Sequence, residues 1–276
     1  MQMPKIMYGT AWKKERTTEL VLQALRAGFR GIDTACQPKH YREDLAGEAI
    51  STAISEGIVT RDELFIQTKF TSIDGQDTSQ PLPYDPLLPA SEQVTQSISR
   101  SLSNLRLSRI DSVILHGPLR TRPDTLSAYR TLEGYVDQGV IGRIGVSNFY
   151  DVGMLRWLWA EARVKPRVVQ NRWYEGNGWD GEVWGWCQEN AVGYQSFWTL
   201  SGSPNLLRSR QIRDLAAKYG LTKEQVVYRL CQLWDITPLC GSTTLKHVEE
   251  ALEVDGSPLV ADSEGVAELK SVMLGV

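Results

Sequence analysis

The sequence predicts an α/β fold, a single (β/α)8 TIM barrel across residues 1–276, and three observations lead to it. Short apolar stretches alternate with amphipathic helical stretches eight times along the chain. No change in composition divides the chain into parts. Its 276 residues are also close to the ~250 that such a barrel usually takes. Alternation of this kind indicates a parallel sheet covered by helices, and eight repeats indicate that the sheet closes on itself.

The predicted strands are short apolar runs, and several of them end on a polar residue. Runs of this length and content are typical of the buried strands of a parallel sheet. In chain order the eight strands are Lys5–Gly9, Phe29–Thr34, Leu64–Lys69, Asp111–His116, Ile141–Val146, Arg167–Asn171, Val192–Phe197 and Ile236–Cys240.

The predicted helices carry apolar residues at intervals of three and four, which places those residues on one face. Gly28 and Gly57 end the first two helices, and Thr222 with Gln225 forms a capping box at the start of a later one. The helices are Thr17–Gly28, one around Leu45–Ile54, one around Val94–Leu105, Pro123–Gln138, one around Met154–Ala162, Gly181–Asn190, Leu206–Tyr219, Thr222–Trp234, Thr244–Leu252 and Ser263–Met273.

Composition argues against several classes of function. The net charge of −3 means that the chain has no overall positive charge to attract the phosphates of nucleic acid. The apolar runs are shorter than the ~18 residues that a membrane span needs, and the N-terminus has no signal-peptide apolar region. The four cysteines lie far apart without paired spacing, so we expect neither a metal site nor disulfides. We therefore expect a cytoplasmic protein, as a monomer or a weak dimer.

Four titratable residues lie at or just past the C-terminal ends of three successive predicted strands. Asp33, Lys69 and His116 lie at the ends of strands two, three and four, and Tyr41 follows in the loop after strand two. Parallel α/β folds build their sites at this edge. An ammonium lowers the pKa of a nearby phenol, a carboxylate keeps the ammonium charged, and a histidine can orient a substrate oxygen. The set suits protonation of a carbonyl oxygen during reduction, although each residue alone is as easily explained by packing, solvation or capping.

These residues and several nearby motifs resemble the aldo-keto reductases. The motifs are GFRGIDTA with a following Tyr and Gly-Glu-Ala-Ile, TK after strand three, His-Gly-Pro after strand four, and GVSNF after strand five. The resemblance covers about Ile6–Leu252. It implies a barrel that reduces aldehydes and ketones with NADPH and without metal. It also implies that Tyr41 donates the proton, assisted by Asp33, Lys69 and His116.

The resemblance further implies where NADPH binds. It implies that Ser147, Asn148 and Gln170 bind the nicotinamide carboxamide. It also implies that Phe197 is the aromatic residue that stacks on the nicotinamide ring. The other cofactor residues that it implies are Thr10, Asp33, Leu200, Ser201, Ser203, Ser242, Thr243, Lys246, His247 and Glu250.

The chain departs from the family pattern at two places that bear on the site. Seven residues separate Asp33 from Tyr41, a longer interval than the family's, so His40 is a rival proton donor. At the adenosine 2′-phosphate, Gly241 and His247 stand where the family has Lys and Arg, and the adenine-binding Asn is also missing. We therefore expect NADPH to be preferred over NADH, by a smaller margin than the family shows.

The substrate pocket is expected to be wide. We expect neither the hairpin before strand one nor the C-terminal substrate loop of the family's longer members, with the Thr71–Ala90 loop as a replacement wall. Trp12, Trp173 and Trp198 follow strands one, six and seven and are candidates for an aromatic rim around a bulky carbonyl substrate, although packing of loops explains them equally well.

Two other functions stay open at this point. One is an aldo-keto-reductase-like redox sensor or regulatory subunit, which binds the cofactor without efficient turnover. The other is a phosphate-binding barrel isomerase or lyase, which the lack of a Gly-Gly phosphate loop after strands seven and eight disfavours.

Overall fold

Eight parallel strands form a closed barrel in sequence order, with β1 pairing both β2 and β8. The computed structural model describes residues 2–275. The strands are β1 (Met7–Gly9), β2 (Gly31–Asp33), β3 (Phe65–Phe70), β4 (Ile110–Leu115), β5 (Ile141–Ser147), β6 (Val168–Arg172), β7 (Gly193–Phe197) and β8 (Ile236–Cys240).

The helices form the outer layer around the strands. They are α1 (Thr17–Ala27), α2 (Glu43–Ser55), α3 (Ala90–Leu105), α4 (Arg122–Asp137), α5 (Val152–Glu161), α6 (Gly181–Glu189), α7 (Pro204–Arg208), α8 (Arg210–Tyr219), α9 (Lys223–Leu233), α10 (Leu245–Leu252) and α11 (Val266–Leu274). The predicted fold class and all eight predicted strands are confirmed, and β1 and β2 are shorter than expected.

One predicted helix is wrong, because the stretch 206–219 contains two helices. Ser209 breaks it with an extended backbone (φ −61°, ψ 152°), and its Oγ accepts a hydrogen bond from Ile212 N at 3.3 Å as the cap of α8. A serine can satisfy a free backbone N–H in this way, so it competes with helix continuation. The predicted capping box at Thr222 and Gln225 is present.

Helices α2 and α3 approach each other at backbone distance. A Cβ added at Gly47 would lie 2.0 Å from the carbonyl oxygen of Asn104, so only glycine fits there. Gly28, which ends α1, has φ 122°, a conformation that glycine adopts without the steric cost of a side chain. Both glycines position the second strand–helix unit, which carries Asp33 and Tyr41.

A buried polar layer fills the barrel interior just below the C-terminal ends of the strands. Gln67 Nε2 donates to Gln195 Oε1 at 2.7 Å, and Ser112 Oγ donates to Gln67 Oε1 at 2.8 Å. All three residues are fully buried. Buried polar groups are tolerated when they are hydrogen-bonded, and this layer forms the floor of the site above it.

The long loop after β3 is folded against the barrel. Tyr84 is 5% exposed, and its hydroxyl donates to the carbonyl of Thr71 at 2.8 Å. Gln76 Nε2 donates to Cys36 O, and Gln37 Nε2 donates to Gly75 O. The loop is therefore fastened to the loop after β2.

Within residues 2–275, no helix is long and apolar enough to cross a membrane. The same residues contain no cluster of His, Cys, Asp and Glu that could hold a metal ion. The four cysteines are buried and free.

Candidate active site

A buried ion pair lies at the C-terminal mouth of the barrel. Asp33 is the last residue of β2, and its Oδ2 accepts a hydrogen bond from Lys69 Nζ of β3 at 2.6 Å. Lys69 also donates to Thr34 O at 2.8 Å, and both charged side chains are at most 2% exposed. Burial lowers the pKa of Lys69, while the charge of Asp33 acts in the opposite direction.

The second oxygen of Asp33 is held by the polar layer below. Oδ1 accepts hydrogen bonds from Gln67 Nε2 and Gln170 Nε2, both at 2.9 Å. With Lys69, the carboxylate has three donors, which offset the cost of burying its charge. Sequence reasoning did not identify Gln67, whose signal is a polar residue at an inward position of a buried strand.

Tyr41 lies beside this pair at the end of a tight turn. Gln37 O accepts hydrogen bonds from both His40 N and Tyr41 N, while Pro38 and Lys39 at the tip of the turn are exposed. The additional residues of the loop therefore bulge into solvent. The ring of Tyr41 lines the central cavity, with Lys69 Nζ 5.2 Å from its centroid.

The pKa of Tyr41 differs from the sequence expectation. Burial, and after it the charge of Asp33, raise the pKa of Tyr41 above its ordinary value. The expected lowering of this pKa by Lys69 and Asp33 is not found, since burial is the largest effect and the hydrogen bonds of the ammonium go to Asp33 and Thr34 O. The phenol is therefore firmly protonated at neutral pH and able to donate.

His116 borders the same cavity and is neutral. Its ring lies edge-on to Tyr41, with centroids 6.0 Å apart. Burial, then the charges of Lys69 and His40, lower the pKa of His116 to about 3. Thr71 Oγ1 lies 2.6 Å from Nδ1. When that hydroxyl donates to Nδ1, Nε2 carries the ring hydrogen and is free to donate to a substrate oxygen.

His40, the rival donor, is held apart from the cavity lining. Its ring stacks on Trp12 at a centroid distance of 3.9 Å, and its carbonyl accepts from Trp12 N at 2.7 Å. It does not line the cavity that Asp33, Tyr41 and His116 share. The geometry therefore favours Tyr41 over His40.

Three amide and hydroxyl side chains meet where β5 and β6 end. Ser147 Oγ donates to Gln170 O at 2.6 Å, and Asn148 Nδ2 donates to His116 O at 2.7 Å. Asn148 has φ 57°, which asparagine tolerates better than most residues. The side-chain nitrogen Nε2 of Gln170 donates to Asp33 and Gln195. The side-chain oxygen Oε1 of Gln170 is therefore the atom left to accept a hydrogen bond from a ligand amide.

One cavity of about 860 Å³ connects three of the four predicted catalytic residues to the end of β8, and Lys69 lies outside its lining. Asp33, Tyr41 and His116 line one end, and Thr222 and Lys246 line the other. The other predicted site residues along its walls are Trp12, Gln170, Phe197, Trp198, Leu200, Ser201, Ser242, His247 and Glu250.

The far end of the cavity carries weakly paired charge. Lys246 Nζ lies 3.7 Å from Glu250 Oε1, and the lysine side chain is 79% exposed. Ser242 Oγ accepts from Thr244 N at 3.1 Å, while Ser242 O accepts from the hydroxyl of Tyr8 at 2.8 Å. Thr243 is exposed and does not line the cavity.

Three more predicted site residues also lie outside the cavity lining. Trp173 is fully buried and packs against Trp179 and Trp234, so it is a core residue rather than part of the rim. Thr10 is buried, and its hydroxyl donates to Asp33 O at 3.0 Å. Ser203 is buried outside the cavity lining, and its hydroxyl has no partner.

The expected replacement wall is also wrong. No residue of the stretch 71–90 lines the main cavity. Pro81, Leu82 and Pro83 instead line a separate cavity of about 270 Å³, shared with the loop after β2. The hydrogen bonds that fasten the two loops explain this placement.

Sequence reasoning missed two cationic residues at the mouth. Lys13 is 5% exposed, its Nζ donates to Gly241 O at 2.8 Å, and burial lowers its pKa to about 8. Arg172, the last residue of β6, lines the cavity beside Trp198. The available signals were a lysine directly after Trp12 and a charged residue at a strand end.

The chain is similar to known proteins over most of its length. The model for the Aldo/keto reductase family matches residues 5–175. A curated NAD(P)H-dependent D-xylose reductase of Pachysolen tannophilus is 27% identical, over 97% of this chain and 90% of its own length. Methylglyoxal reductase DkgA of Yersinia pestis is 29% identical, over 91% of this chain and 83% of its own length.

Solved structures of aldo-keto reductases are also similar to this chain. An aldo-keto reductase from a Medee basin deep-sea metagenome library has a TM-score of 0.83 and 25% identity, covering 100% of this chain and 93% of its own. A Bombyx mori aldo-keto reductase complexed with NADPH also has a TM-score of 0.83 and 25% identity, covering 100% of this chain and 86% of its own.

Proposed function

The chain belongs to the aldo/keto reductase family, and on that premise we propose that it is an NADPH-dependent reductase of aldehydes or ketones. The observation that carries the proposal is the buried Asp33–Lys69 pair, 2.6 Å long, beside Tyr41 and His116 on one cavity. A protonated phenol and a neutral imidazole are both hydrogen-bond donors, and they border the same space.

Tyr41 is proposed to give a proton to the carbonyl oxygen as negative charge develops there. The ammonium of Lys69, 5.2 Å from the ring centroid, stabilises the phenolate that the transfer leaves behind. Asp33 keeps that ammonium charged and fixed. His116 donates a hydrogen bond to the same oxygen through Nε2 and orients the substrate.

The residues present fit NADPH. The side-chain oxygen of Gln170 and the half-buried ring of Phe197 line the cavity and together suit a nicotinamide. Ser147 and Asn148 lie beside Gln170 but outside the cavity lining, and they donate hydrogen bonds to Gln170 O and His116 O. The cavity continues from Gln170 to Lys246 beside Ser242, which suits a phosphate. When bound, NADPH supplies the hydride to the carbonyl carbon.

The proposal is tested by following NADPH absorbance with a panel of aldehydes and ketones. We expect steady oxidation of NADPH that depends on a carbonyl substrate. Tight NADPH binding without turnover of any member of the panel would instead favour the regulatory or sensor function.

We predict that NADPH binds more tightly than NADH by a modest factor, on the order of 10. Lys246 is exposed and shares its charge with Glu250, and an exposed ion pair contributes only about 0–1 kcal/mol. Titration of tryptophan fluorescence with both cofactors measures the ratio. Lys246→Met is expected to weaken NADPH binding and leave NADH binding unchanged, whereas equal affinities in the unmodified chain would contradict the prediction.

We also predict that the site accepts bulky ring-containing ketones. No residue of the loop 71–90 lines the main cavity. Two tryptophans lie at the rim of that cavity, and Trp12 is 66% and Trp198 45% exposed. Both have positive φ, 63° and 61°, a strained conformation for a bulky residue that is often found at functional sites. A higher kcat/KM for a polycyclic ketone than for propanal is expected, and a strong advantage for propanal would exclude a wide pocket.

A further inference from the structure

Arg172 is a charged residue at the mouth of the barrel that the proposed reaction does not use. It follows Gln170 by two positions on β6, and alternate residues of a strand face the same side. Gln170 points into the barrel, where it binds Asp33. Arg172 therefore rises on the interior side at the rim, and both residues line the main cavity.

The backbone of Arg172 is fixed on both sides. Its N–H donates to the hydroxyl of Tyr150 at 3.0 Å, and its carbonyl accepts from Asn177 Nδ2 at 2.6 Å. The guanidinium lies 4.4 Å from the ring centroid of Trp198 and 5.7 Å from that of Phe197. Cation–π contact with the two rings holds the guanidinium at the rim. No hydrogen bond from the guanidinium is found within residues 2–275, so its N–H donors can bind a ligand.

Within residues 2–275, no carboxylate pairs with the guanidinium of Arg172. The acidic residues that follow it are held elsewhere: Glu175 accepts from Leu206 N at 2.7 Å, and Asp180 accepts from Tyr194 and Asn171. An arginine without an acidic partner, beside a cavity, is suited to a planar anion from outside the chain.

Other charges in the cavity also favour an anion near Arg172. The carboxylates that line it are Asp33, Glu224 and Glu250. Asp33 is bound to Lys69, and the two glutamates belong to α9 and α10, at the opposite end. The rim formed by β6 and β7 therefore carries positive charge that none of these carboxylates neutralises.

We propose that Arg172 binds an anionic group, a carboxylate in the first place, on the carbonyl substrate. The preferred substrates are then aldehydes or ketones that carry a carboxylate apart from the reacting carbonyl. This inference rests on the proposed reductase function, and it assigns the specificity of that site to one residue. The other source of an anion is the phosphate of the cofactor, and the experiment separates the two.

The test compares 4-carboxybenzaldehyde with its uncharged methyl ester, methyl 4-formylbenzoate, at saturating NADPH. We expect a higher kcat/KM for the carboxylate. Arg172→Met keeps a long apolar side chain over Trp198 and should lower kcat/KM for the carboxylate by about 10- to 100-fold, the usual effect of losing a charged hydrogen-bond partner. The value for the ester should change little. Arg172→Lys, which keeps the charge without the planar fork, should fall between.

Each alternative has a distinct outcome. Equal kcat/KM for acid and ester in the unmodified protein would overturn the inference and leave the reductase function intact. Weaker NADPH binding in Arg172→Met, with equal losses for both aldehydes, would assign Arg172 to a cofactor phosphate and overturn it too. Binding of benzoate and benzamide to the NADPH-loaded protein, followed by tryptophan fluorescence, needs no turnover. Equal affinity for the two would overturn the inference even if neither aldehyde were reduced.

Discussion

Lys69→Met is expected to abolish most turnover and to destabilise the fold. The substitution leaves the carboxylate of Asp33 buried at 2% exposure with only its two amide donors, Gln67 and Gln170. Removing one partner of a buried ion pair typically costs about 3–5 kcal/mol of unfolding free energy. Tyr41, the proposed proton donor, also loses the ammonium 5.2 Å from its ring centroid, so kcat should fall by at least about 10²-fold.

Denaturant unfolding and steady-state kinetics measure the two effects separately. The matched control is the double variant Asp33→Asn with Lys69→Met, which removes the uncompensated charge. It should recover much of the lost stability, because a neutral amide costs far less to bury than a carboxylate. It should recover none of the lost turnover. If the double variant is as unstable as Lys69→Met alone, the unpaired carboxylate is not the cause.

Much of the fold and the meeting of the site residues could be predicted from the sequence because both depend on local patterns. Short apolar runs that alternate with amphipathic helical stretches predicted the eight strands. Once the sheet closes, strand ends converge, so Asp33, Lys69 and His116 had to lie around one mouth. Their distances in the structure follow from that topology.

The tryptophans show where a local pattern is insufficient. Trp173 and Trp198 both follow a strand end, yet Trp173 is fully buried and Trp198 is 45% exposed. Trp173 is covered by Trp179 and Trp234, the latter sixty-one positions along the chain. Trp198 turns outward through a positive φ of 61°. Neither long-range packing nor a strained backbone can be predicted from residue type.

The pKa of Tyr41 illustrates a competition that sequence could not decide. The sequence supplied a nearby lysine, which lowers a phenol pKa, and a nearby aspartate, which raises it. The outcome depends on burial depth and on where the ammonium directs its hydrogen bonds. In the structure Lys69 is bound to Asp33 and Thr34 O, and burial raises the pKa.

Tyr41→Phe is expected to lower kcat by about 10²–10⁴-fold, the usual contribution of a positioned acid or base. Only the hydroxyl is removed, so the ring keeps its contacts with Lys69 and His116. Unfolding free energy and NADPH affinity should therefore stay close to those of the unmodified protein. Stopped-flow measurement of NADPH oxidation separates the chemical step from product release, and the loss should appear in the chemical step.

His40→Phe is the paired control, because His40 is the neighbouring residue and the longer loop makes it the rival donor. A phenylalanine can keep the stacking of this position on Trp12, now 3.9 Å between ring centroids. Since His40 does not line the cavity, its replacement should change kcat only a few-fold at most. The reverse pattern, with His40→Phe inactive and Tyr41→Phe nearly unchanged, would identify His40 as the donor. It would also require the turn closed by Gln37 O to open when substrate binds.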